Sequence, residues 1–266
     1  MSITLSVIDA SGAILAQNSG NETAFLVYKQ TYKTGDVLRV KSTEPGSFVE
    51  VCLDHTMQPA MLFLKEGSFD MPVPFGDQKQ ICSPFAFEGS NHRLIARAVN
   101  PETLPKLRNL SLNPCDHYGN LTAFPHATAT SQTRGEAAFA ASNAIDGELA
   151  NDDHGVWPYT SWGINQDPDA ALTIHFGRPI VMHHIKIFIR ADFPHDAWWE
   201  SARISASDNW TQKVELTKTG QGQLIQLTPH QTDTLIIDQL IKADDPSPFP
   251  ALTQIEVWGT EIPTSD

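Results

Sequence analysis

The chain has 266 residues, 41% of them hydrophobic and 18% charged, and carries a net charge of −13. This composition excludes a disordered chain, and no apolar run approaches the ~18 residues needed to cross a bilayer. The acidity disfavours nucleic acid and anionic membrane as partners, since both repel a negative surface.

The first hundred residues read as short strands between turn residues. The predicted strands are Ile3–Ile8, Ala13–Gln17, Ala24–Lys29, Val37–Ser42, Phe48–Asp54, Ala60–Leu64 and Arg93–Val99. Gly12, Gly20, Gly35, Pro45-Gly46, Pro59 and Gly67 separate them. Val37–Lys41 and Val49–Leu53 alternate with period two, which gives each strand one buried and one wet face. Such strands at regular spacing predict a sandwich or barrel.

From Asn100 to about Ala123 the pattern breaks around Pro101, Pro105 and Pro114. This stretch reads as the connection between two domains, placed at 1–115 and 116–266. Without a Gly/Ser tract, docked rather than freely tumbling domains are expected. Cys52, Cys82 and Cys115 are odd in number, widely spaced and lack a Cys-x-x-Cys pair, so reduced thiols are expected rather than a disulfide framework. Residues Met1–Val7 show neither a basic nor a long apolar leader segment. Both features point to a cytoplasmic location.

Beyond Phe124 an alanine-rich, helix-like piece spans Gly135–Asn143 and stops at the Asp146-Gly147 turn. Strands follow at Ala171–Phe176, Ile185–Arg190, Arg203–Ser207, Val214–Thr217, Leu224–Leu227, Thr234–Asp238 and Thr253–Trp258. Adjacent His183 and His184 would point to opposite faces of a strand and so would not chelate one ion.

The landmarks of this second half fall in a recognisable order. Ala127–Gln132 comes first, then Ala144-Ile145-Asp146-Gly147, Thr160-Ser161-Trp162, Ala171–Gly177, Ile185–Arg190 and Ser205–Asp208, closing on Ile255–Gly259. This order resembles the discoidin-type domain, also called coagulation-factor C-type or galactose-binding-like, to which many bacterial carbohydrate-binding modules belong. The resemblance covers roughly half the chain. Together with the strand pattern of the first half, it leads to the expectation of an all-β protein of two docked β-sandwich (jelly-roll or galactose-binding-like) domains, the second discoidin-like. It also implies a structural Ca²⁺ held by Asp146, Thr160 and Glu256, hard oxygen donors that suit this ion. The flanking disulfide and membrane-inserting spikes of the animal members are absent, so lipid binding is not expected.

One segment concentrates chemistry. Arg190, Asp192, His195, Asp196, Trp198 and Trp199 fall within ten residues after a strand, and Pro194 makes their segment a loop. Carboxylates and guanidinium bond sugar hydroxyls in forked geometry, and indoles cover the apolar C–H face of a sugar. His154 and Trp157, in a Gly/Pro-rich loop, and His126 with Arg134 and Glu136 are candidate contributors. The expected function is non-catalytic binding of a small sugar or oligosaccharide. Two rivals stand beside it. One is a carbohydrate-active enzyme using His195 with Asp192 or Asp196 as acid–base groups. The other is a structural or assembly protein in which this loop is a contact. Expected partners are a carbohydrate and either a second copy of the chain or a partner enzyme. No nucleophile elbow, phosphate loop, dinucleotide fingerprint or His-Glu-x-x-His is present.

Overall fold

Period-two alternation carries through to the structure, a computed structural model that describes residues 1–104, 106–191 and 197–262. The strands are β1 (Ser2–Ile8), β2 (Ile14–Asn21), β3 (Thr23–Tyr28), β4 (Val37–Ser42), β5 (Ser47–Cys52), β6 (Ala60–Leu64), β7 (Ser68–Pro72) and β8 (His92–Val99). They continue with β9 (Arg108–Asn109), β10 (Ala123–Phe124), β11 (His126–Ala129), β12 (Trp162–Gly163), β13 (Leu172–Ile189), β14 (Trp199–Ala206), β15 (Thr211–Glu215), β16 (Gln223–Lys242) and β17 (Ala251–Glu261). Among the described residues no helix is long and apolar enough to cross a membrane.

The chain divides into two compact units, Met1–Leu104 with Asn113–Phe124, and Pro105–Leu112 with Pro125–Asp266. It therefore changes unit at 104/105, 112/113 and 124/125, whereas the sequence reading drew one line at 115/116. The proline-rich connection is shared because its short strands join different sheets. β9 pairs with β17, and β10 pairs with β6.

The first unit is a sandwich of two antiparallel sheets, ordered β2-β1-β4-β7 and β10-β6-β5-β8-β3. In β3 the pattern is strict: Ala24, Leu26 and Tyr28 are buried while Thr23, Phe25 and Val27 are exposed. Ile3, Leu5, Leu38, Val40 and Phe69 of one sheet and Val49, Val51, Leu62 and Leu94 of the other are all buried. Burial of these side chains supplies the main driving force, at roughly 25 cal/mol per Å² of apolar surface. Among the described residues no disulfide joins the three cysteines; Cys115 is buried and the other two are half-buried.

The second unit is one eight-stranded sheet that folds over on itself. The start of β13 (Leu172–His175) pairs with β11 and with Thr234–Ile237 of β16, which in turn pairs with β14. After Gly177, at φ 71°, the rest of β13 pairs instead with β17 and with the first part of β16. Both parts feed a single core that includes Leu172, Ile174, Ile185, Ile187, Ile204 and Val257. Single strands thus contain what the sequence showed as separate ones, 171–176 with 185–190 and 224–227 with 234–238. Register shifts between His175/Ile180 and between Met182/His184 let one strand serve both layers.

The helix expected at Gly135–Asn143 is replaced by three short 3-10 turns, Thr133–Gly135, Ala137–Phe139 and Ala141–Ala144. The alanines there are small core fillers, with Ala137, Ala138, Ala141 and Ala144 all buried. Their composition reports packing against the sheet and not helix propensity.

Candidate functional site

A recess of about 220 Å³ opens at one end of the second unit. Five pieces of chain build it: the turns at Thr133–Phe139, the loop carrying His154, Gly163–Gln166 at the end of β12, Arg190 at the end of β13, and the segment entering β17. Hydrogen bonds join the first of these to the third, and the end of β13 to the segment entering β17. Asn165 N–H donates to Thr133 Oγ1 at 3.0 Å, and Arg134 N–H to Asn165 Oδ1 at 3.4 Å. Arg190 N–H donates to Ala251 O at 2.9 Å, and its Nη2 to Phe249 O at 2.7 Å.

Backbone strain concentrates at this rim. Arg134, Asn165 and Gln166 all adopt left-handed φ, at 52°, 53° and 59°. Such conformations are uncommon for residues other than glycine and cluster at functional positions. Gly163 is required for a different reason: a Cβ there would lie 2.6 Å from Thr133 Oγ1. Close approach of β12 to the 133–135 turn brings Asn165 within reach.

The recess presents two kinds of surface. Phe249 is 37% exposed and Phe139 lies at its side, giving an apolar wall. Arg134, His154, Asn165 and Gln166 supply donors and amide oxygens. Arg134 is exposed and forks onto Glu136, which holds that carboxyl below the usual carboxylate range. Nδ1 of His154 lies 3.3 Å from Asp153 Oδ1.

Of the residues singled out in the sequence, Arg134, His154 and Arg190 line this recess. Arg190 is only 3% exposed and anchors the Phe249 segment. Asp192, His195 and Asp196 lie outside the described residues. Trp199, expected to face a ligand, is instead 1% exposed and packs its ring 6.5 Å from that of Trp162 in the core. It opens β14, where alternation sends it inward. Trp198 packs part-buried against the same core. Trp157 is held by its Nε1 donating to Glu148 Oε1 at 3.0 Å and is not among the lining residues. His126 is buried in β11, its ring 6.0 Å from that of His175, and does not line the recess either.

Sequence reasoning missed Phe249, Phe139, Asn165 and Gln166. Two signals were available. Phe249 stands between Pro248 and Pro250, which marks an aromatic side chain on an extended loop. Asn165 and Gln166 come two residues beyond the Thr160–Trp162 landmark, after Gly163 and Ile164.

The calcium expectation meets a different donor set. Thr160 Oγ1 and Asp146 Oδ2 do meet, at 3.3 Å, and burial pushes the Asp146 carboxyl well above the usual carboxylate range. Glu256 has other partners: it accepts Trp258 Nε1–H at 2.8 Å and lies 4.0 Å from Lys186 Nζ. The β17 residue that reaches the Asp146-Gly147 turn is Gln254, whose Oε1 accepts the Gly147 N–H at 3.2 Å. Among the described residues no group of three or more His, Cys, Asp or Glu side chains is placed to hold a metal ion. Of the three expected donors, Asp146 and Thr160 meet at this turn and Glu256 is engaged elsewhere.

The fold and recess define a β-sandwich unit with a small loop-lined cavity at one end. No protein-family model matches the chain, and no curated protein does. Solved structures do resemble it. Chitosan-binding module 1 from a chitosanase/glucanase of Paenibacillus sp. IK-5 is 21% identical with a TM-score of 0.39, over 56% of this chain and 98% of that one. The family 32 carbohydrate-binding module of C. perfringens NanJ, in complex with galactose, is 18% identical with a TM-score of 0.38, over 50% and 91%. The lectin domain of lectinolysin, complexed with Lewis B antigen, is 14% identical with a TM-score of 0.42, over 56% and 95%.

Proposed function

We propose that the recess at the end of the second unit binds a sugar without turning it over. The observation that carries this reading is the pairing of the half-open Phe249 ring with Arg134, His154, Asn165 and Gln166 around a cavity of about 220 Å³. A pyranose has an apolar C–H face and a girdle of hydroxyls, so it needs a ring to lie against and converging donors and acceptors around it. The cavity is smaller than the roughly 300–1,000 Å³ of drug-sized ligand sites, and suits one ring rather than a run of them. The Arg134–Glu136 fork supports a neutral ligand, because it presents donors while cancelling the charge. The resemblance of the landmark order to sugar-binding discoidin-type domains points the same way.

A glycan array followed by calorimetry tests the reading. Binding to a defined terminal sugar is expected, with affinity lost in Phe249→Ala. Absence of binding across neutral, amino and uronic sugars sinks it, and consumption of a bound glycan on long incubation replaces it with the enzyme reading.

A further inference from the structure

We propose that β3, an edge strand of the first unit, pairs antiparallel with β3 of a second copy of this chain. The contact lies in the first unit alone and is independent of the sugar reading.

Half of the β3 backbone is used within the sheet. β3 stands at the end of its sheet, with β8 as its ladder partner. Ala98 N–H donates to Glu22 O at 2.6 Å. Bonded pairs recur at every second residue of an antiparallel ladder, so Glu22, Ala24, Leu26 and Tyr28 face β8. The N–H groups of Thr23, Phe25 and Val27 therefore point away from the sheet. Phe25 O, on the same side, accepts from Asn18 Nδ2 at 2.7 Å and keeps a second lone pair. The side chains beside these groups are apolar and open, Phe25 61% and Val27 49% exposed.

Edge strands are ordinarily protected by charge, proline, a bulge or shortness. The other edges of this unit have such protection. β2 is largely polar and pairs with a register shift, β7 holds Asp70 and ends in Pro72, and β10 has two residues. β3 has no charged residue, no proline and no register shift.

The charges that flank β3 select its partner. Glu22 precedes the strand and Lys29 follows it. Both are exposed, and neither side chain has an ion-pair partner among the described residues. Two-fold antiparallel pairing sets the start of one strand against the end of the other, so each Glu22 comes beside the partner's Lys29. The strand is thus complementary to itself, and its ends oppose the repulsion between two chains of net charge −13. The register follows from two constraints. A Cβ on Gly20 would collide with Thr23 O, so the β2–β3 turn closes that carbonyl and disfavours pairing centred on Phe25. Pairing centred on Val27 would carry Glu22 past the partner's Lys29. The axis therefore falls at Leu26, with each Phe25 opposite the partner's Val27 and both N–H···O bonds exchanged at each pair. The two sheets then run on as one, and the Phe25 and Val27 side chains of both copies share its outer face.

Sedimentation equilibrium of the full chain tests this, in low salt and up to about 100 µM because one strand pair is a small contact. A reversible monomer–dimer equilibrium is expected. Val27→Pro removes an N–H that the ladder to β8 does not use, and should raise the dissociation constant at least about tenfold in a chain that still melts cooperatively. Glu22→Lys and Lys29→Glu each set like charges together at both ends of the contact, and each should weaken it about tenfold. Mixed in equal amounts, these two variants should recover the wild-type association, because every end then joins unlike charges. A wild type that stays monomeric, or that forms open higher assemblies, overturns the proposal. So does a dimer left unchanged by Val27→Pro or by the charge variants, or one that the mixture fails to restore. Should Val27→Pro fail to fold, the charge variants and their mixture decide the question alone.

Discussion

Arg134 grips Glu136 through two parallel bonds, Nε to Oε1 at 2.6 Å and Nη2 to Oε2 at 2.8 Å, with its guanidinium carbon 5.6 Å from the centre of the Phe139 ring. The fork sets the direction of the remaining guanidinium donors and cancels their charge. Converting Glu136→Gln removes the counter-charge and keeps the side-chain shape. The expected result is a relative gain of about tenfold for uronate-type over neutral ligands. Calorimetry at low and high salt checks it, and the gain should fade as salt rises.

Phe249 is the apolar face of the recess. Removing its ring in Phe249→Ala should weaken sugar binding about tenfold, the size of an aromatic contact. The Tm should barely move, because the ring is partly exposed and the anchoring bond from Arg190 goes to the Phe249 backbone oxygen. Titration calorimetry and a melting curve on the same variant separate the two effects.

Trp199 behaves in the opposite way. It lies fully in the core beside Trp162. Trp199→Ala should cost about 3–5 kcal/mol of stability through the cavity it leaves. Trp199→Phe, which retains most of the packing, should bind sugar as the wild type does. Chemical denaturation measures the first and calorimetry the second. A large loss of affinity in a stably folded Trp199→Phe contradicts this assignment.

Glu261 joins two arginines at the end of β17. It accepts from Arg178 Nε at 2.8 Å and Nη2 at 2.6 Å, and also pairs with Arg108. All three side chains are less than one-fifth exposed. Glu261→Gln deprives two largely buried guanidinium groups of this carboxylate, and the expected loss is about 3–5 kcal/mol. Urea unfolding of wild type and variant gives the difference directly.

Acid should weaken the β14–β15 hairpin in a defined window. The Asp208 carboxyl accepts the Trp210 N–H at 3.0 Å and contacts His230 Nε2 at 3.1 Å, which holds it below the usual carboxylate range. The His230 ring in turn stacks on Trp210, with centroids 4.8 Å apart. The folded state thus binds the Asp208 proton less readily than the unfolded chain. Its contribution is complete above the ordinary carboxylate pKa and is lost as pH falls through that value toward the folded one. The Tm difference between wild type and Asp208→Asn should be present at about pH 5 and shrink below about pH 4.

Much of the fold was legible because strand alternation is local. In β3 and β4 each buried side chain sits two residues from the next, and no distant contact is needed to read that. The Ala137–Ala144 turns were misread for the converse reason. Alanine is both the best helix former and a small core filler, and only the sheet packed against it shows which role applies. Arg134, His154 and Arg190 are singled out in the sequence by their chemistry and line the recess, and the same chemistry draws attention to Trp199, whose inward direction depends on where β14 begins.

The amino-acid order alone established the all-β class, the acidic surface, the two-part organisation and the side-chain types able to meet a sugar. Tertiary structure decided which of them meet. Phe249 and Arg134 are 115 positions apart, and Gln254 and Gly147 are 107 apart. Those meetings depend on one sheet folding back across its own core, because side-chain direction is set by local geometry while proximity is set by how the layers close.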